Sequence, residues 1–408
     1  MDTHNLKYAI ITVLALTTFC FTGVTGKTAS KDGKASLFAT LPYVTNVSQT
    51  SFDVVFRTMD KAMCFLEVGM DDGTVWYKQE HRRYYDDRLG RHFVGYEHRI
   101  SVGDLTPGVQ YRYRVFVCQV QDDTNAYKYS FENPVAWNPT WGTGVHYART
   151  CTVRTLDSKA DSCRFSMVCD MHFDAAKYHT LMDNMPKGND FIMLCGDIVS
   201  HSSSIDTVLK YTLEPIERLS CVYPLFYARG NHDGRGADWY RLPEFFPTNT
   251  GEFYYTFRHG PVAFVVLDAG EDKPDSDIEY SGTASYDSYR QGELQWLKKA
   301  VNDAEFKSAP FKVCIIHIPT LSSDNSWYSQ DWICRNFVPV LEKAGIDLML
   351  SGHHHKYIFS KEKEDGCSYP VIVNSNAERL DFVATSKSIT VNTFDKDNNP
   401  VHSMVTGK

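Results

Sequence analysis

The sequence predicts two architectures along one chain, an all-β sandwich followed by an α/β domain of layered sheets and helices. Three observations predict it. The first part alternates apolar and polar residues, the second part alternates short apolar runs with longer helical segments, and Asp, Asn and His residues follow several of those apolar runs. With 408 residues, 43% of them hydrophobic, the chain is long enough for about two or three domains.

The charge balance of the chain argues against nucleic acid as a binding partner. The chain has 42 Lys and Arg residues against 50 Asp and Glu residues, which gives a formal net charge of −8. Proteins that bind nucleic acid neutralise phosphates with clustered cations. We therefore expect no binding to a nucleic-acid scaffold.

The N-terminus predicts a cleaved export signal over residues 1–26. Lys7 precedes the uncharged run Tyr8–Val24, and small residues surround the end of that run. This pattern is typical of a signal peptide, and a retained membrane anchor is the next alternative. We expect a secreted, periplasmic or cell-surface protein that has no transmembrane span after signal removal.

Residues 38–155 predict the β-sandwich. Two segments alternate with the period of a half-buried strand, and their predicted buried faces carry Phe52, Val54 and Phe56 in one case and Tyr111, Tyr113, Val115 and Val117 in the other. The stretch 105–115, Leu-Thr-Pro-Gly-Val-Gln-Tyr-Arg-Tyr-Arg-Val, resembles the corner and following strand of fibronectin type III-like domains.

Residues 163–405 predict the α/β domain, because strands that alternate with helices form buried sheets covered by helices. The predicted strands are Phe165–Cys169, Phe191–Cys195, Pro224–Ala228, Val262–Leu267, Lys312–Ile316 and Leu348–Leu350. The predicted helices are Asp174–Met185, Ile205–Leu219, Ser288–Asp303 and Asp331–Ala344.

Polar residues follow five of these strands at their carboxyl ends, the edge where α/β sheets place their sites. The five blocks are Asp170-Met-His172, Gly196-Asp197, Gly230-Asn231-His232-Asp233, His317 and Gly352-His353-His354-His355. Each block alone is typical of a turn or a loop. Their convergence indicates a metal site instead, since carboxylates, an Asn carbonyl and imidazoles suit manganese, iron or zinc. Two such ions share one bridging ligand in dinuclear sites.

These blocks resemble the D-x-H, G-D, G-N-H-[DE], isolated His and G-H-x-H pattern of the calcineurin-like metallophosphoesterase superfamily. With the β-rich first part, the overall resemblance is to purple acid phosphatase-like proteins. The resemblance implies a four-layer α/β/β/α metallophosphoesterase sandwich and a centre of two divalent or mixed-valence metal ions. It assigns Asp170, His172 and His355 to the first ion, Asn231, His317 and His353 to the second, and Asp197 to both.

The same resemblance gives His232 a role beside the leaving-group oxygen, where it protonates that oxygen or stabilises the transition state. Asp233 is predicted to orient the imidazole of His232. This sequence departs from the purple acid phosphatase pattern in one respect. Purple acid phosphatases carry a tyrosine ligand three residues after the G-D aspartate and lack the His of D-x-H. Here that position is Ser200 and His172 is present, so we expect no tyrosinate-to-iron colour.

Other nearby residues have less definite roles. Arg229 is a candidate contact for a substrate phosphate, with a solvated or paired arginine as the alternative. His354 is a candidate for substrate binding or for packing behind the ligands. Arg235 and Asp238 lie in the following loop and receive no role.

The sequence thus predicts an exported phosphoesterase that hydrolyses phosphomonoesters, of small molecules or proteins, by attack of a metal-bound hydroxide on phosphorus. A phosphodiesterase or nucleotide hydrolase with the same metal centre is the alternative. The rival from another class is a surface binding protein without catalysis, although every predicted ligand position is filled.

Overall fold

The computed structural model describes residues 37–125, 128–137, 151–321, 326–363 and 366–407. The predicted export signal, residues 1–26, lies outside these ranges. Within them, none of the helices combines the length and the apolar character needed to cross a membrane.

The first part of the chain is all-β, as predicted. Its strands are β1 (Phe38–Thr45), β2 (Phe52–Met70), β3 (Arg82–Tyr85), β4 (Asp87–Arg88), β5 (Arg91–His92), β6 (Val94–Val102), β7 (Gln110–Asn125), β8 (Lys128–Phe131), β9 (Val135–Ala136) and β10 (Cys151–Arg154). The predicted alternation is confirmed, because the apolar residues of both segments are buried in one hydrophobic cluster. The resemblance to fibronectin type III domains stays a prediction.

The second part carries twelve further strands among the described residues. They are β11 (Ser162–Val168), β12 (Phe191–Cys195), β13 (Leu225–Ala228), β14 (Tyr255–His259), β15 (Val262–Leu267), β16 (Phe311–Ile316), β17 (Leu348–Ser351), β18 (Ile358–Ser360), β19 (Val371–Val373), β20 (Arg379–Thr385), β21 (Ser388–Phe394) and β22 (Pro400–Gly407).

The α-helices in the described part of the chain are α1 (Ala175–Asp183), α2 (Ile205–Leu213), α3 (Glu217–Ser220), α4 (Leu242–Phe245), α5 (Tyr286–Ala300), α6 (Ala304–Lys307), α7 (Tyr328–Asn336) and α8 (Val338–Ala344). Two predicted helices are interrupted. The segment Ile205–Leu219 changes to a 3₁₀ turn at Pro215, and Asp331–Ala344 divides before Pro339. Proline lacks the N–H group that continues an α-helix, so each helix restarts with proline in its first turn.

Two large sheets organise the α/β part. In the first sheet β13, β12 and β11 are parallel neighbours, and β20, β21 and β22 continue it in antiparallel order. The second sheet has the order β14-β15-β16-β17-β19-β18, with β15, β16, β17 and β19 parallel. The carboxyl ends of the parallel strands carry the predicted motif residues.

Three hydrophobic clusters define the layers. One lies between the two sheets, where the ring of Phe165 stacks on Phe191 of its own sheet and meets Phe264 of the other sheet edge-on. A second cluster joins the first sheet to α1 and α2, and a third joins the second sheet to α5, α7 and α8. This is the predicted α/β/β/α arrangement.

The first part of the chain is joined directly to the first sheet. Strand β1 pairs in parallel with β13 at Thr45 and Leu225, and the Thr45 hydroxyl donates to the Leu225 carbonyl at 2.9 Å. The cluster between the sheets also extends into β1, β2 and β7. The predicted domain bounds, 38–155 and 163–405, stay predictions, and the two parts share one continuous core.

Candidate metal centre

All five predicted motif blocks meet at one edge of the two sheets. Asp170 and His172 follow β11, Asp197 follows β12, and Asn231, His232 and Asp233 follow β13. From the second sheet, His317 follows β16 directly and the His353-His354-His355 segment follows β17. Parallel strands bring their carboxyl ends to a common edge, and two facing sheets bring both edges together.

One group of potential ligands is formed by Asp170, His172 and His355, the residues predicted for the first ion. The Nε2 atoms of His172 and His355 lie 3.0 Å apart, and Asp170 Oδ1 lies 3.4 Å from His355 Nε2. Two imidazole nitrogens and a carboxylate oxygen that converge on one point are a common donor set for a transition metal.

A second group is formed by Asp197, His317 and His353. Asp197 Oδ2 lies 3.1 Å from His317 Nε2. Asp197 also belongs to a group with His172 and His232, and its Oδ2 lies 3.9 Å from His172 Nε2. A carboxylate with neighbours from both ligand groups is in the right place to bridge two ions.

Several buried polar atoms here have no hydrogen-bond partner. They are Asp170 Oδ1, Asn231 Oδ1, Asp272 Oδ1 and His317 Nε2. Buried polar atoms without a partner are rare in folded proteins because each costs about 1–3 kcal/mol. Oxygen and nitrogen lone pairs left unused in one place fit bound cations, so the residues present suit the predicted dinuclear centre.

The backbone of the centre is held in an uncommon conformation. Asp170, His172, Asp197, His353 and His355 have φ angles of 55°, 46°, 52°, 74° and 57°. Left-handed φ values are unfavourable for residues that have a Cβ atom, and such residues cluster at functional sites. The sharp turns after the strands direct these side chains into the shared space. A Cβ atom at Gly230 would overlap Asp197 Oδ1, which explains the glycine there.

Burial and neighbouring charges set the protonation of the ligands. Burial, reinforced by His317, lowers the pKa of His353 to about 3, so its imidazole is neutral at neutral pH. Burial acts in the same direction on His317, but the carboxylates of Asp197 and Asp170 outweigh it and raise its pKa. His317 Nδ1 lies 2.8 Å from the Cys195 carbonyl and donates to it, which leaves Nε2 directed at the centre.

The surroundings of His232 differ in part from the prediction. The sequence predicts that Asp233 orients this imidazole, but Asp233 Oδ2 instead accepts the backbone N–H groups of Asp197 at 2.9 Å and Gly230 at 2.8 Å. The Ser200 carbonyl accepts from His232 Nδ1 at 3.0 Å. Asp233 therefore holds the turn that carries Asp197, and Ser200 orients the ring of His232.

Ser200 also bears on the predicted departure from purple acid phosphatases. Its hydroxyl lies 3.4 Å from Nδ1 of His172, the nitrogen on the far side of the ring from Nε2. In the purple acid phosphatases the tyrosine at this position is itself a metal ligand. Here the Ser200 side chain instead contacts His172, a predicted metal ligand.

The two candidate substrate contacts have other neighbours. Arg229 is buried, and its Nη2 lies 2.7 Å from Asp268 Oδ2 in an ion pair. His354 belongs to none of the three ligand groups found among the described residues. The proposed phosphate contacts of Arg229 and His354 stay predictions.

Sequence reasoning missed Glu271 and Asp272 and named Arg235 without giving it a role. Asp272 Oδ1 lies 3.4 Å from His353 Nε2, and Asn231 Nδ2 donates to Asp272 Oδ2 at 3.2 Å. Arg235 donates to both oxygens of Glu271, at 2.6 and 2.8 Å, and its Nη1 lies 3.2 Å from each ring nitrogen of His232. The missed signal was the acidic segment Asp268-Ala-Gly-Glu271-Asp272, which follows the predicted strand Val262–Leu267.

Burial and the adjacent Glu271 raise the pKa of Asp272 to about 6. Burial and Asp197 raise the pKa of Asp233 to about 7. Excess negative charge therefore accumulates around Asp197, and bound cations would offset it.

The second part of the chain is similar to known proteins. Residues 164–357 match the calcineurin-like phosphoesterase family. The chain is 27% identical over 174 residues to the serine/threonine-protein phosphatase CPPED1 of Mus musculus, which covers 41% of this chain and 53% of that protein. It is 22% identical over 169 residues to purple acid phosphatase 18 of Arabidopsis thaliana, covering 38% and 36%. The chain thus spans about half and about a third of these relatives.

Two solved structures share the fold. A purple acid phosphatase from yellow lupin (Lupinus luteus) seeds superposes with a TM-score of 0.64 at 12% identity, over 90% of this chain and 74% of that chain. A structure of PhoD superposes with a TM-score of 0.61 at 11% identity, over 91% and 90%. These likenesses confirm the predicted fold class.

Proposed function

We propose that this chain, which carries a calcineurin-like phosphoesterase domain over residues 164–357, is a metal-dependent hydrolase of phosphate monoesters. The observation that carries the proposal is the pair of ligand groups that Asp197 links, with unpartnered buried oxygen and nitrogen atoms directed between them. The two relatives described above are named as phosphatases, which supports the same reaction class.

Asp170, His172 and His355 would hold one ion, and Asn231, His317 and His353 would hold the other, with Asp197 between them. The chemistry that two divalent ions supply when bound is neutralisation of phosphoryl oxygens and a lowered pKa for water. We propose that the two ions are iron, manganese or zinc.

His232 would act at the leaving-group oxygen. Its Nδ1 donates to the Ser200 carbonyl at 3.0 Å, so Nε2 is the atom that exchanges a proton with the substrate. The backbone N–H of His232 donates to Asp197 Oδ1 at 2.9 Å, which fixes the residue relative to the centre. General acid catalysis by a positioned group contributes about 10²–10⁴-fold.

The proposal that the chain is exported rests on the sequence of residues 1–26 alone. A phosphodiesterase remains the alternative within the same chemistry, and the assay below separates the two.

The test strips the protein of metal and reconstitutes it separately with manganese, iron and zinc. Turnover is measured with p-nitrophenyl phosphate, a monoester, and bis-p-nitrophenyl phosphate, a diester. We expect metal-dependent turnover that favours the monoester. Asp197→Asn should abolish it, because an amide cannot bridge two cations with two anionic oxygens.

Asp183→Asn is the matched control, since Asp183 is an exposed aspartate at the end of α1. It should retain full turnover. A higher rate on the diester would replace the monoesterase proposal with the diesterase. Absence of metal binding under all three conditions would overturn the enzyme proposal and favour a binding protein.

A further inference from the structure

A large cleft adjoins the metal centre on the side of His232. It has a volume of about 770 Å³, and Arg235 and Glu271 line it. Arg235 Nη1 lies 3.2 Å from both ring nitrogens of His232. Arg235 therefore connects the lining of the cleft with the residue proposed to act on the leaving group. The size of the cleft falls within the range of about 300–1,000 Å³ typical of small-molecule sites.

The walls of this cleft are rich in aromatic rings. They come from three segments of the chain, and the contributing residues are Trp239, Phe253, Tyr254, Tyr280, Tyr286 and Tyr289. We call this site the aromatic cleft. Trp239 is 47% exposed at its rim, and the rings of Tyr280 and Tyr286 meet edge-on at 6.2 Å. Such surfaces bind flat rings by stacking.

The polar groups of the aromatic cleft are mainly hydrogen-bond acceptors. Glu252, Glu271 and Glu279 contribute carboxylates, of which Glu271 already accepts from Arg235 and Glu279 forms an ion pair with Lys273. Ser281 and Thr283 contribute hydroxyls. Carboxylates accept hydrogen bonds from hydroxyl and amino groups of a ligand.

The arginines of the cleft are already paired. Arg229 forms an ion pair with Asp268, and Arg235 pairs through two nitrogens with Glu271. The lining thus offers aromatic faces and acceptors, without an unpaired arginine among its described residues for a second phosphate group.

We propose, on the basis of the function proposed above, that the aromatic cleft binds the leaving group of the substrate and that this group is a nucleoside. The substrates are then nucleoside 5′-monophosphates. The oxygen of water forms a bond to phosphorus, the bond between phosphorus and O5′ breaks, and O5′ takes up a proton. The products are the nucleoside and inorganic phosphate.

A nucleoside matches the lining better than the phenol ring of a phosphotyrosine. A base can stack on the aromatic rings while ribose hydroxyls and exocyclic amino groups donate to the carboxylates. A tyrosyl ring would satisfy the stacking surfaces and would offer no donor to the carboxylate of Glu252.

The first experiment compares adenosine 5′-monophosphate with ribose 5-phosphate, which carries a hydroxyl in place of the base, on the metal-reconstituted protein. We expect kcat/KM to be at least about 10-fold higher for the nucleotide, since stacking of a base on aromatic side chains supplies an effect of that size. Phosphotyrosine is assayed beside them. Equal values for the two ribose esters, or a preference for phosphotyrosine, would overturn the proposal.

The second experiment uses Trp239→Ala, with Trp327→Ala as the matched control. Trp327 is 50% exposed and lies outside the lining of the aromatic cleft. Trp239→Ala should lower kcat/KM for adenosine 5′-monophosphate about 10-fold and leave ribose 5-phosphate within 2-fold. Trp327→Ala should change neither substrate. An equal loss for both substrates in Trp239→Ala would contradict a stacking role.

The third experiment measures binding of adenosine to the metal-free protein by calorimetry, which requires no turnover. Binding that is weakened by Trp239→Ala supports the aromatic cleft even if phosphate ester hydrolysis fails. Absence of adenosine binding, combined with good turnover of p-nitrophenyl phosphate, would overturn this inference alone.

Discussion

Two buried polar clusters of this protein, one on the first sheet and one where the two sheets meet, differ in how their atoms are paired. Arg379 on β20 is 1% exposed, and its guanidinium donates to both oxygens of Asp381, to the Leu181 carbonyl and to Asn398, at 2.8 to 3.0 Å. Ser166 also donates to Asp381, at 2.5 Å. In the metal centre, by contrast, buried oxygen and nitrogen atoms of Asp170, Asn231, Asp272 and His317 have no hydrogen-bond partner.

The Arg379 cluster consists of polar groups that stabilise the fold, whereas the metal centre consists of polar groups suited to binding a ligand. A fully paired buried network makes one arrangement of the chain favourable. An unpaired group costs free energy in the absence of its ligand, and the left-handed backbone of the metal centre adds to that cost. Three experiments test this contrast.

The largest effect on stability is expected at the paired cluster. Arg379→Met removes the guanidinium and leaves the Asp381 carboxylate buried without its counterion. Loss of one partner from a buried pair costs about 3–5 kcal/mol, so urea unfolding should show a decrease of that size. Metal affinity should be unchanged.

Arg335→Met serves as control, because Arg335 forms an exposed ion pair with Asp331 at 3.7 Å. Its free energy of unfolding should change by less than about 1 kcal/mol. Equal losses in the two variants would show that the Arg379 cluster is not a special source of stability.

The next effect is expected at the metal centre. Here the metal affinity should change and the free energy of unfolding should not. Asn231→Ala removes a buried oxygen that has no partner, together with one hydrogen bond to Asp272 at 3.2 Å. Metal affinity should fall at least about 100-fold, since even residues behind the ligands cost 10–100-fold. The unfolding free energy of the metal-free protein should change by less than about 1 kcal/mol.

Metal titration followed by calorimetry, with urea unfolding of the metal-free form, measures both quantities. Asn302→Ala is the control, because the Asn302 amide donates to the Lys298 carbonyl on an exposed surface. If Asn231→Ala destabilised the metal-free protein by 3 kcal/mol and still bound metal normally, the contrast between the clusters would fail.

The last effect concerns the pH dependence of stability and is expected at a third buried group, Glu293 of α5. Burial and the nearby Asp268 raise the pKa of Glu293 well above its usual value. A carboxyl group with a raised pKa binds its proton more tightly in the folded state. Its contribution to stability is therefore present at low pH and is lost as the pH rises above about 4.3, by up to about 1.4 kcal/mol per pH unit.

Glu293→Gln should remove that loss. The amide oxygen can still accept the Asp268 N–H, which donates to Glu293 Oε1 at 2.8 Å. The unfolding free energy of the variant relative to the unmodified protein should therefore increase between pH 5 and pH 8. Glu80→Gln, at an exposed position, should show a constant difference over the same range. If the unfolding free energies of Glu293→Gln and of the unmodified protein changed with pH in parallel, the raised pKa of Glu293 would be contradicted.

The sequence predicted the central strands well. The bounds of β12 and β15 agree with the predicted runs Phe191–Cys195 and Val262–Leu267, because each is a continuous apolar run that ends at polar or small residues. Strand β2 extends from Phe52 to Met70, well past the predicted segment, since its polar residues Arg57, Asp60 and Lys61 interrupt the alternation. The pairing of β1 with β13 depends on contacts between distant segments, which local patterns do not encode.

The candidate site was predictable where its residues directly follow strands. The geometry of a parallel sheet then brings them together without further information. Asp272 was missed because a turn at Gly270 separates it from the end of β15. Arg235 received no role because its position depends on an ion pair with Glu271, 36 residues away in the sequence.

The pairing of β1 with β13 also bears on self-association of the first sheet. β13 is the outermost of the three parallel strands that carry the metal ligands, and β1 from the first part of the chain covers its free side. An uncovered strand edge presents N–H and C=O groups that recruit strands of other molecules. The first part of the chain thus covers part of a strand edge that would otherwise be open to pairing with other molecules.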